Sequence, residues 1–170
     1  MKLGIVGSEA AKFTPVTEHR ARLVISALIE KFEADLVISG HSPLGGIDLW
    51  AVEEADKLGV ATREYAPHVF VWAAPGGYRD RNLKIAQQSD AVACITLLEL
   101  PESYHGMRFP QGCYHCHTPP EDHVKSGGCW TMQQARDLGK KGVLVVISPD
   151  GGLRAQVNVL RQASGVSRAD

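Results

Sequence analysis

The residues best suited to chemistry crowd into one short stretch. Cys113, Cys116 and Cys129 fall within 17 residues, in a segment rich in glycine and histidine. Gly112-Cys113-Tyr114-His115-Cys116-His117 contains a C-x2-C knuckle, and His123 and Cys129 extend it to C-x2-C-x6-H-x5-C. Two thiolates two residues apart can share one face of a tight turn and hold one ion. Zinc then needs two further nitrogen or sulfur donors to close a tetrahedron. Cys113, Cys116, His123 and Cys129 are the expected ligands, with His117 the first substitute and His115 and His105 as further donors. Four protein ligands leave no position for water, so the expected Zn2+ is structural. A hydrolytic ion would need three ligands and a base such as Glu121 or Asp122. The fourth cysteine, Cys94, lies in the apolar run Ala91-Val92-Ala93-Cys94-Ile95 and reads as a small buried thiol.

A second chemistry comes from glycine. Gly4-Ile5-Val6-Gly7-Ser8, Gly40 to Gly46 and Ser126-Gly127-Gly128-Cys129-Trp130-Thr131 each follow an apolar run or open a helical one. Glycine lets backbone approach an anion closely, and helix N-termini present unpaired N–H groups at a positive dipole end. Ser8, Ser42, Ser126 and Thr131 add hydroxyls. A phosphate-bearing guest is the physical inference. Arg79 and Arg81 flank Asp80 and offer planar forks to an anion. Asp48 is suited to capping a helix or to meeting ribose hydroxyls. Trp72, Tyr78 and Trp130 could stack a base or belong to the core. His41 and His68 are loop histidines without a partner in sequence, and Glu53 and Glu54 read as solvent-facing.

Positioning these groups requires a particular frame. Strand-like runs cover residues 2–6, 35–39, 60–65, 91–97 and 142–147. Helical patterns cover 48–58, 79–88, 131–138 and 153–162, and a further helix opens at Thr14-Pro15 with an apolar stripe of Leu23, Ala27, Leu28 and Phe32. Apolar strands alternating with helices predict parallel pairing with right-handed crossovers. The expectation is a Rossmann-like, doubly wound α/β fold: a five-stranded parallel sheet in the order 3-2-1-4-5. The Cys/His-rich insertion, 99–128, lies between strand 4 and helix 4, and 1–170 forms a single domain. Ligands of such sheets bind beyond the carboxyl ends of the strands at the switch point.

The 170 residues carry 18 Lys+Arg against 19 Asp+Glu, a net charge of −1, which excludes a broad basic surface for nucleic acid. A hydrophobic share of 44% and a charged share of 22% exclude wholesale disorder. No apolar run is long enough for a membrane span, and the N-terminal run is too short for a signal peptide. A cytoplasmic location and no membrane partner follow as the expectation. In that compartment clustered thiols argue for metal over disulfides.

Gly45-Gly46-Ile47-Asp48 with Ala51, Tyr78-Arg79-Asp80-Arg81-Asn82 ahead of Ser89-Asp90-Ala91-Val92, and Trp130-Thr131…Ala135…Gly139-Lys140 together resemble the SLOG superfamily, the Smf/DprA-, LOG- and YpsA-type proteins. The resemblance runs from Gly4 to Ile147. It implies a Rossmann-like fold that binds a nucleotide or nucleotide-derived molecule, with homo-oligomerisation plausible. Carried over residue by residue, it implies a binding set of Gly7, Ser8, Gly46, Asp48, Arg81, Asn82, Gly127, Gly128 and Thr131. LOG-type relatives that cleave nucleoside monophosphates carry a glutamate where this chain has Gln134, and a glycine where it has Trp130. A neutral amide cannot serve as a general base or stabilise an oxocarbenium-like centre. Ligand binding is therefore the leading expectation, with no catalytic residue assigned. A nucleotide-processing hydrolase and a nucleic-acid-binding accessory module are the alternatives. Glu9 stands where many relatives place an arginine, and Lys12 is the nearby cation.

Overall fold

The computed structural model describes residues 1–109, 112, 113, 115 and 123–158. Cys116, His117, Glu121 and Asp122 lie outside the described residues. The chain runs β1 (Lys2–Gly7), α1 (Pro15–Lys31), β2 (Leu36–Gly40), α2 (Ile47–Lys57), β3 (Ala61–Tyr65), α3 (Tyr78–Gln88), β4 (Ala91–Leu97), α4 (Gly127–Asp137), β5 (Lys141–Ile147) and β6 (Leu153–Asn158). A single 3-10 turn, Ala10–Lys12, follows β1. The strands form one sheet in the order β3-β2-β1-β4-β5-β6. The first five are parallel, and β6 adds antiparallel to β5, with Ile147 opposite Leu153.

The sheet therefore has six strands, not five, and the helix expected from Leu153 is a strand over the residues described. Its sequence, Leu-Arg-Ala-Gln-Val-Asn, alternates apolar and polar residues with the two-residue period of a strand, and Leu153, Arg154 and Ala155 are all exposed at this edge of the sheet. The turn before it, Ser148 to Gly152, places Gly151 at a φ of +84° and is closed by the Ser148 N–H donating to the Gly152 carbonyl. Asp150 accepts from the Gly152 N–H and from the Ser148 hydroxyl. That turn folds the chain back instead of starting a helix.

Alternating residues of the buried strands feed two cores. Leu3, Ile5, Ala93 and Val145 pack with Ile25 of α1 and Ile47 and Ala51 of α2 on one face. Val6, Val92, Cys94 and Leu144 pack with Ile85 of α3 and Met132 of α4 on the other. Each fully buried aliphatic side chain contributes about 1.5–3 kcal/mol relative to exposure. Helix α1 starts as its sequence predicts: Thr14 caps it, exchanging bonds with Thr17, and Pro15 opens it. The apolar stripe is rotated from expectation. Ala21, Val24, Ile25, Leu28 and Ile29 are buried, whereas Leu23 and Ala27 face solvent. A seam at spacings of three and four through Ile25 fits the sheet better than one through Leu23.

Glu54 also departs from expectation. It is buried and bonded to Arg22 at 3.1 Å and Lys57 at 2.8 Å, stitching α1 to α2. Burial alone would raise its pKa, but the hydrogen bonds and charges of Lys57 and Arg22 hold it below the usual carboxylate value. Glu53 is exposed as expected, although it too reaches Arg22.

Behind the sheet, Lys140 places its ammonium on the Ala86, Gln87 and Ser89 carbonyls at 2.9, 2.6 and 2.7 Å. A cation here satisfies the orphan acceptors at the end of α3 and opposes its negative dipole end. Lys140→Met is expected to destabilise the chain by about 1–3 kcal/mol, the range for losing charged hydrogen bonds. Urea denaturation checks this, and an unchanged midpoint would assign the three bonds no net weight.

Candidate ligand cavity and metal centre

The carboxyl end of β1, the loop after β2 and the first turns of α2, α3 and α4 surround one cavity of about 320 Å³. Its floor is glycine. A side chain at Gly7 would strike the Ile95 carbonyl and Ile47, because β1 ends directly against β4 and the start of α2. A side chain at Gly128 would come within 2.8 Å of the Gly7 Cα, so α4 begins in contact with the end of β1. Behind the floor, a side chain at Gly40, which does not line the cavity, would collide with Arg81 and Asp48.

The first turns differ in their caps. Neither α2, which starts after Gly46, nor α3, which starts after Gly77, has a side-chain cap; the Ser8 carbonyl accepts from the Ile47 N–H, and the Val71 and Trp72 carbonyls accept from the Tyr78 and Arg79 N–H groups. Helix α4 starts four residues earlier than its sequence pattern suggests, because Ser126 caps it by accepting from the Gly128 N–H at 2.9 Å. Three helix N-termini facing one space give it a positive potential.

Most of the residues singled out in sequence meet here. Gly7, Ser8, Asp48, Arg81, Asn82, Gly127 and Gly128 line the cavity. Gly46 and Thr131 do not. Gly46, at a φ of +84°, is packed against the backbone of Ser8 to Ala10, where only glycine fits. The Thr131 hydroxyl is fully buried and donates to the Gly127 carbonyl at 3.1 Å. Both shape the rim from behind.

Asp48 and Arg81 form a buried ion pair at 3.0 Å. Arg81 also donates through Nε and Nη2 to the Asn82 side-chain oxygen at 2.9 and 2.7 Å. Burial pushes the Asp48 carboxyl above its ordinary value; Arg81 and the Gly7 N–H pull against that shift, and the charge of Glu64 adds to it. Arg79 is the solvated member of the arginine pair, 3.9 Å from Asp80. Asp80 accepts from the Gly76 N–H. Ser8 shares a hydrogen bond with Thr96, whose hydroxyl donates to the Val124 carbonyl, so the cavity floor is tied to the returning arm of the insertion.

The walls hold two residues that the sequence pattern did not single out, Phe109 and Lys125 of the insertion. They line the cavity with His115, which the sequence offered as a metal donor, and with Lys12, Glu9 and Trp72. The Lys125 ammonium lies 3.8 Å above the Phe109 ring. Burial and Lys125 lower the His115 pKa, while Cys113 opposes them. Glu9 pairs with Lys12 at 3.5 Å and accepts from the Tyr104 hydroxyl at 2.9 Å. Burial first, and then Glu9, push that phenol up to about 12. Trp72 is backed edge-on by Trp130 with ring centres 5.4 Å apart. His41 pairs with Glu64 at the surface, and His68 lies beside Gly76; neither lines the cavity.

Beside the cavity, the ligand atoms of Cys113, His123 and Cys129 lie within 4.8 Å of one another, all buried. That is close enough to hold one metal ion. Neither ring nitrogen of His123 has a hydrogen-bond partner among the described residues, although the side chain is only 2% exposed. An imidazole buried this way costs free energy unless something coordinates it. The donor set, two thiols and an imidazole, is the one that suits a borderline-soft divalent ion. Cys94 stays outside the cluster as a buried thiol, 3.6 Å from the Cys129 sulfur. Among the described residues, no helix is long and apolar enough to cross a membrane.

No family model matches the chain, and no curated protein matches it. Among solved structures, the chain is similar to the X-ray structure of DNA processing protein A (DprA) from Streptococcus pneumoniae, with 16% identical residues and a TM-score of 0.47. The similarity covers 85% of this chain and 49% of that one, so the chain spans about half the length of the protein it matches.

Proposed function

We propose that this chain is a SLOG-type protein that binds a nucleotide or nucleotide-derived ligand in the cavity at the strand ends, beside a structural zinc centre. One observation carries the reading: the first turns of α2, α3 and α4 line a single cavity together with Gly7, Gly127, Gly128 and two lysines, Lys12 and Lys125. Such a space favours an anion through helix dipoles, close backbone approach at glycine and the lysine charges. The phosphate would rest on Gly7-Ser8 and Gly127-Gly128, with Lys12 and Lys125 supplying positive charge. Trp72 offers a π face to a base, and stacking on an aromatic ring is worth about 1–3 kcal/mol. Asp48, held by Arg81, lies where ribose hydroxyls would reach. Gly46 and Thr131 act only through the positions of their neighbours.

Zinc would be held by Cys113, His123 and Cys129, with Cys116 as the fourth donor that closes the shell. Its role there is to pin the insertion to the start of α4, which sets the wall carrying Phe109, His115 and Lys125.

The site binds its ligand and has no group assigned to turnover. Gln134 donates to Asp137 on α4, at a position that does not line the cavity. The two carboxylates that do line it, Asp48 and Glu9, are engaged by Arg81 and by Lys12 and Tyr104.

Thermal-shift titration with nucleoside mono- and diphosphates of the four bases tests the reading. At a hundredfold excess over Kd, a ligand stabilises by about 2.7 kcal/mol, which is roughly 5–11 °C for a domain of this size. Trp72→Ala should weaken the response. No shift with any of the eight compounds at millimolar concentration, together with native mass spectra free of a co-purified small molecule, would overturn it. Salt-sensitive binding of oligonucleotides without any mononucleotide response would favour the nucleic-acid reading instead.

A further inference from the structure

Cys94 has no task in the ligand cavity or among the metal donors, yet its thiol touches one of those donors. It lies in the middle of β4, opposite Val6 of β1 and Leu144 of β5, and is fully buried. Its sulfur is 3.6 Å from that of Cys129, the third residue of α4, which is also fully buried. The backbone holds the two together. A side chain at Gly128 would come within 3.0 Å of the Cys94 sulfur and 2.8 Å of the Gly7 Cα, so the first turn of α4 rests directly on the sheet. Disulfide sulfurs stand about 2.05 Å apart, so a further approach of about 1.5 Å joins the pair, a shift that side-chain rotation can supply.

Cys129 is thereby claimed twice. It is grouped with Cys113 and His123 as a metal donor, and it is in contact with a thiol outside that group. The thiolate is the form that binds metal, and a sulfur in a disulfide is no longer a thiolate, so the two uses exclude each other. We propose that Cys94 and Cys129 form a reversible disulfide when the chain meets a peroxide, and that the bond withdraws Cys129 from the metal. The inference rests on the metal reading above. The Cys129 sulfur attacks the peroxide: an S–O bond forms, the O–O bond breaks, and hydroxide leaves. The Cys94 thiol then attacks the resulting sulfenic sulfur, forming the S–S bond and releasing water that carries the thiol proton. Two electrons pass from the sulfurs to the peroxide oxygens, and the charge of the ion does not change. Cys113 is the competing partner, but a shared ion holds its sulfur along with that of Cys129, whereas Cys94 stays outside that shell. Open space lies on two sides of the cluster. Gly128 lines the first cavity, and His123 lines a second of about 270 Å³. A peroxide is small and uncharged, which suits it to approach from either.

Trypsin separates the thiols. Cleavage after Lys84, Arg108, Lys125 and Arg136 places Cys94 in 85–108, Cys113 and Cys116 in 109–125, and Cys129 in 126–136, so each pairing between peptides has its own mass. The zinc-loaded full chain is treated with hydrogen peroxide, released zinc is followed with a chromogenic chelator, and the digest is read by mass spectrometry. The expected result is 85–108 joined to 126–136 as the main cross-link, appearing in step with the zinc and reversed by a thiol reductant. Cys94→Ala should load as much zinc as the wild type. Its Cys129, without that partner, should run on to the sulfinic acid at least about fivefold more than in the wild type. Cross-linking of 109–125 to 126–136 in the wild type, with Cys94 left reduced, would overturn the inference and leave the metal centre standing. So would zinc release without a cross-link to Cys94, or equal sulfinic acid in the two proteins. Reduced zinc loading in a folded Cys94→Ala chain would also overturn it, because Cys94 would then be a ligand. The same bond formed in a chain that never takes up zinc would overturn the metal reading, and the release with it.

Discussion

His123→Leu is expected to empty the metal centre and lower the melting temperature by roughly 8–16 °C. An ion at a thousand times its Kd stabilises by about 4 kcal/mol, and a chain of this length shifts by about 2–4 °C per kcal/mol. The substitution is informative because its sign depends on the metal. Without an ion, His123 is a buried imidazole whose two nitrogens find no partner among the described residues. Replacing it with an apolar side chain of similar bulk would then remove a desolvation penalty of about 1–3 kcal/mol and stabilise the chain. With an ion, the same change deletes one of the donors grouped within 4.8 Å and destabilises it. Elemental analysis should find about one zinc per wild-type chain and little in the variant. A chelator should reproduce the shift in the wild type without any substitution. A higher melting temperature in the variant, with no metal in either protein, would sink the metal centre.

Arg81→Met is expected to cost about 3–5 kcal/mol, the range for leaving one member of a buried ion pair behind. Asp48 is 5% exposed and already raised by burial, and Arg81 is the main influence holding it down. Removing the guanidinium drives the carboxyl further up. A group whose folded pKa lies above its unfolded value, near 3.9, contributes its stability fully below that value and loses it as pH rises through the folded pKa. The variant should therefore recover stability as pH falls, with its largest deficit at neutral and alkaline pH. Adding Asp48→Asn should restore part of the loss, a coupling expected of neighbours that share a bond. Urea midpoints at about pH 5 and 8 measure both effects. A deficit that does not change with pH would show that Asp48 is not the source. The pair also fixes Asn82, so nucleotide affinity should fall with it.

The order of the first five strands was readable because β1, β2, β4 and β5 are nearly continuous apolar runs, the mark of strands covered on both faces, whereas β3, Ala-Thr-Arg-Glu-Tyr, is a mostly exposed edge strand placed by its position between two helices. The glycine turns were readable as well, since turns that follow parallel strands come to the same sheet edge. What the sequence hid has specific causes. The alternation from Leu153 to Asn158 is the signature of an edge strand, and Asp150-Gly151 before it is a turn signal, but the stretch also contains residues at home in a helix. Leu23 and Ala27 are apolar and correctly spaced, yet another seam of the same helix is more apolar, and packing chose that one. Glu54 gives no sign of burial until Arg22 and Lys57 are placed beside it. The early start of α4 was masked by two glycines, which are poor helix formers, although Ser126 is the cap that permits them. Phe109, His115 and Lys125 could not be placed in the cavity from spacing alone, because an irregular loop has no period from which to read its path.

The glycine floor has a consequence for how selectivity can change. At Gly7 and Gly128 any added carbon meets backbone, and at Gly40 behind them it meets the buried Asp48–Arg81 pair, so these positions cannot be used to retune what the cavity accepts. The anchoring end of the site is thus nearly invariant by construction. Altered preference must be written into the two surrounding arms, the turn bearing Trp72 and the segment bearing Phe109 and Lys125. Retargeting by mutagenesis should concentrate there, where side chains can vary without disturbing the sheet.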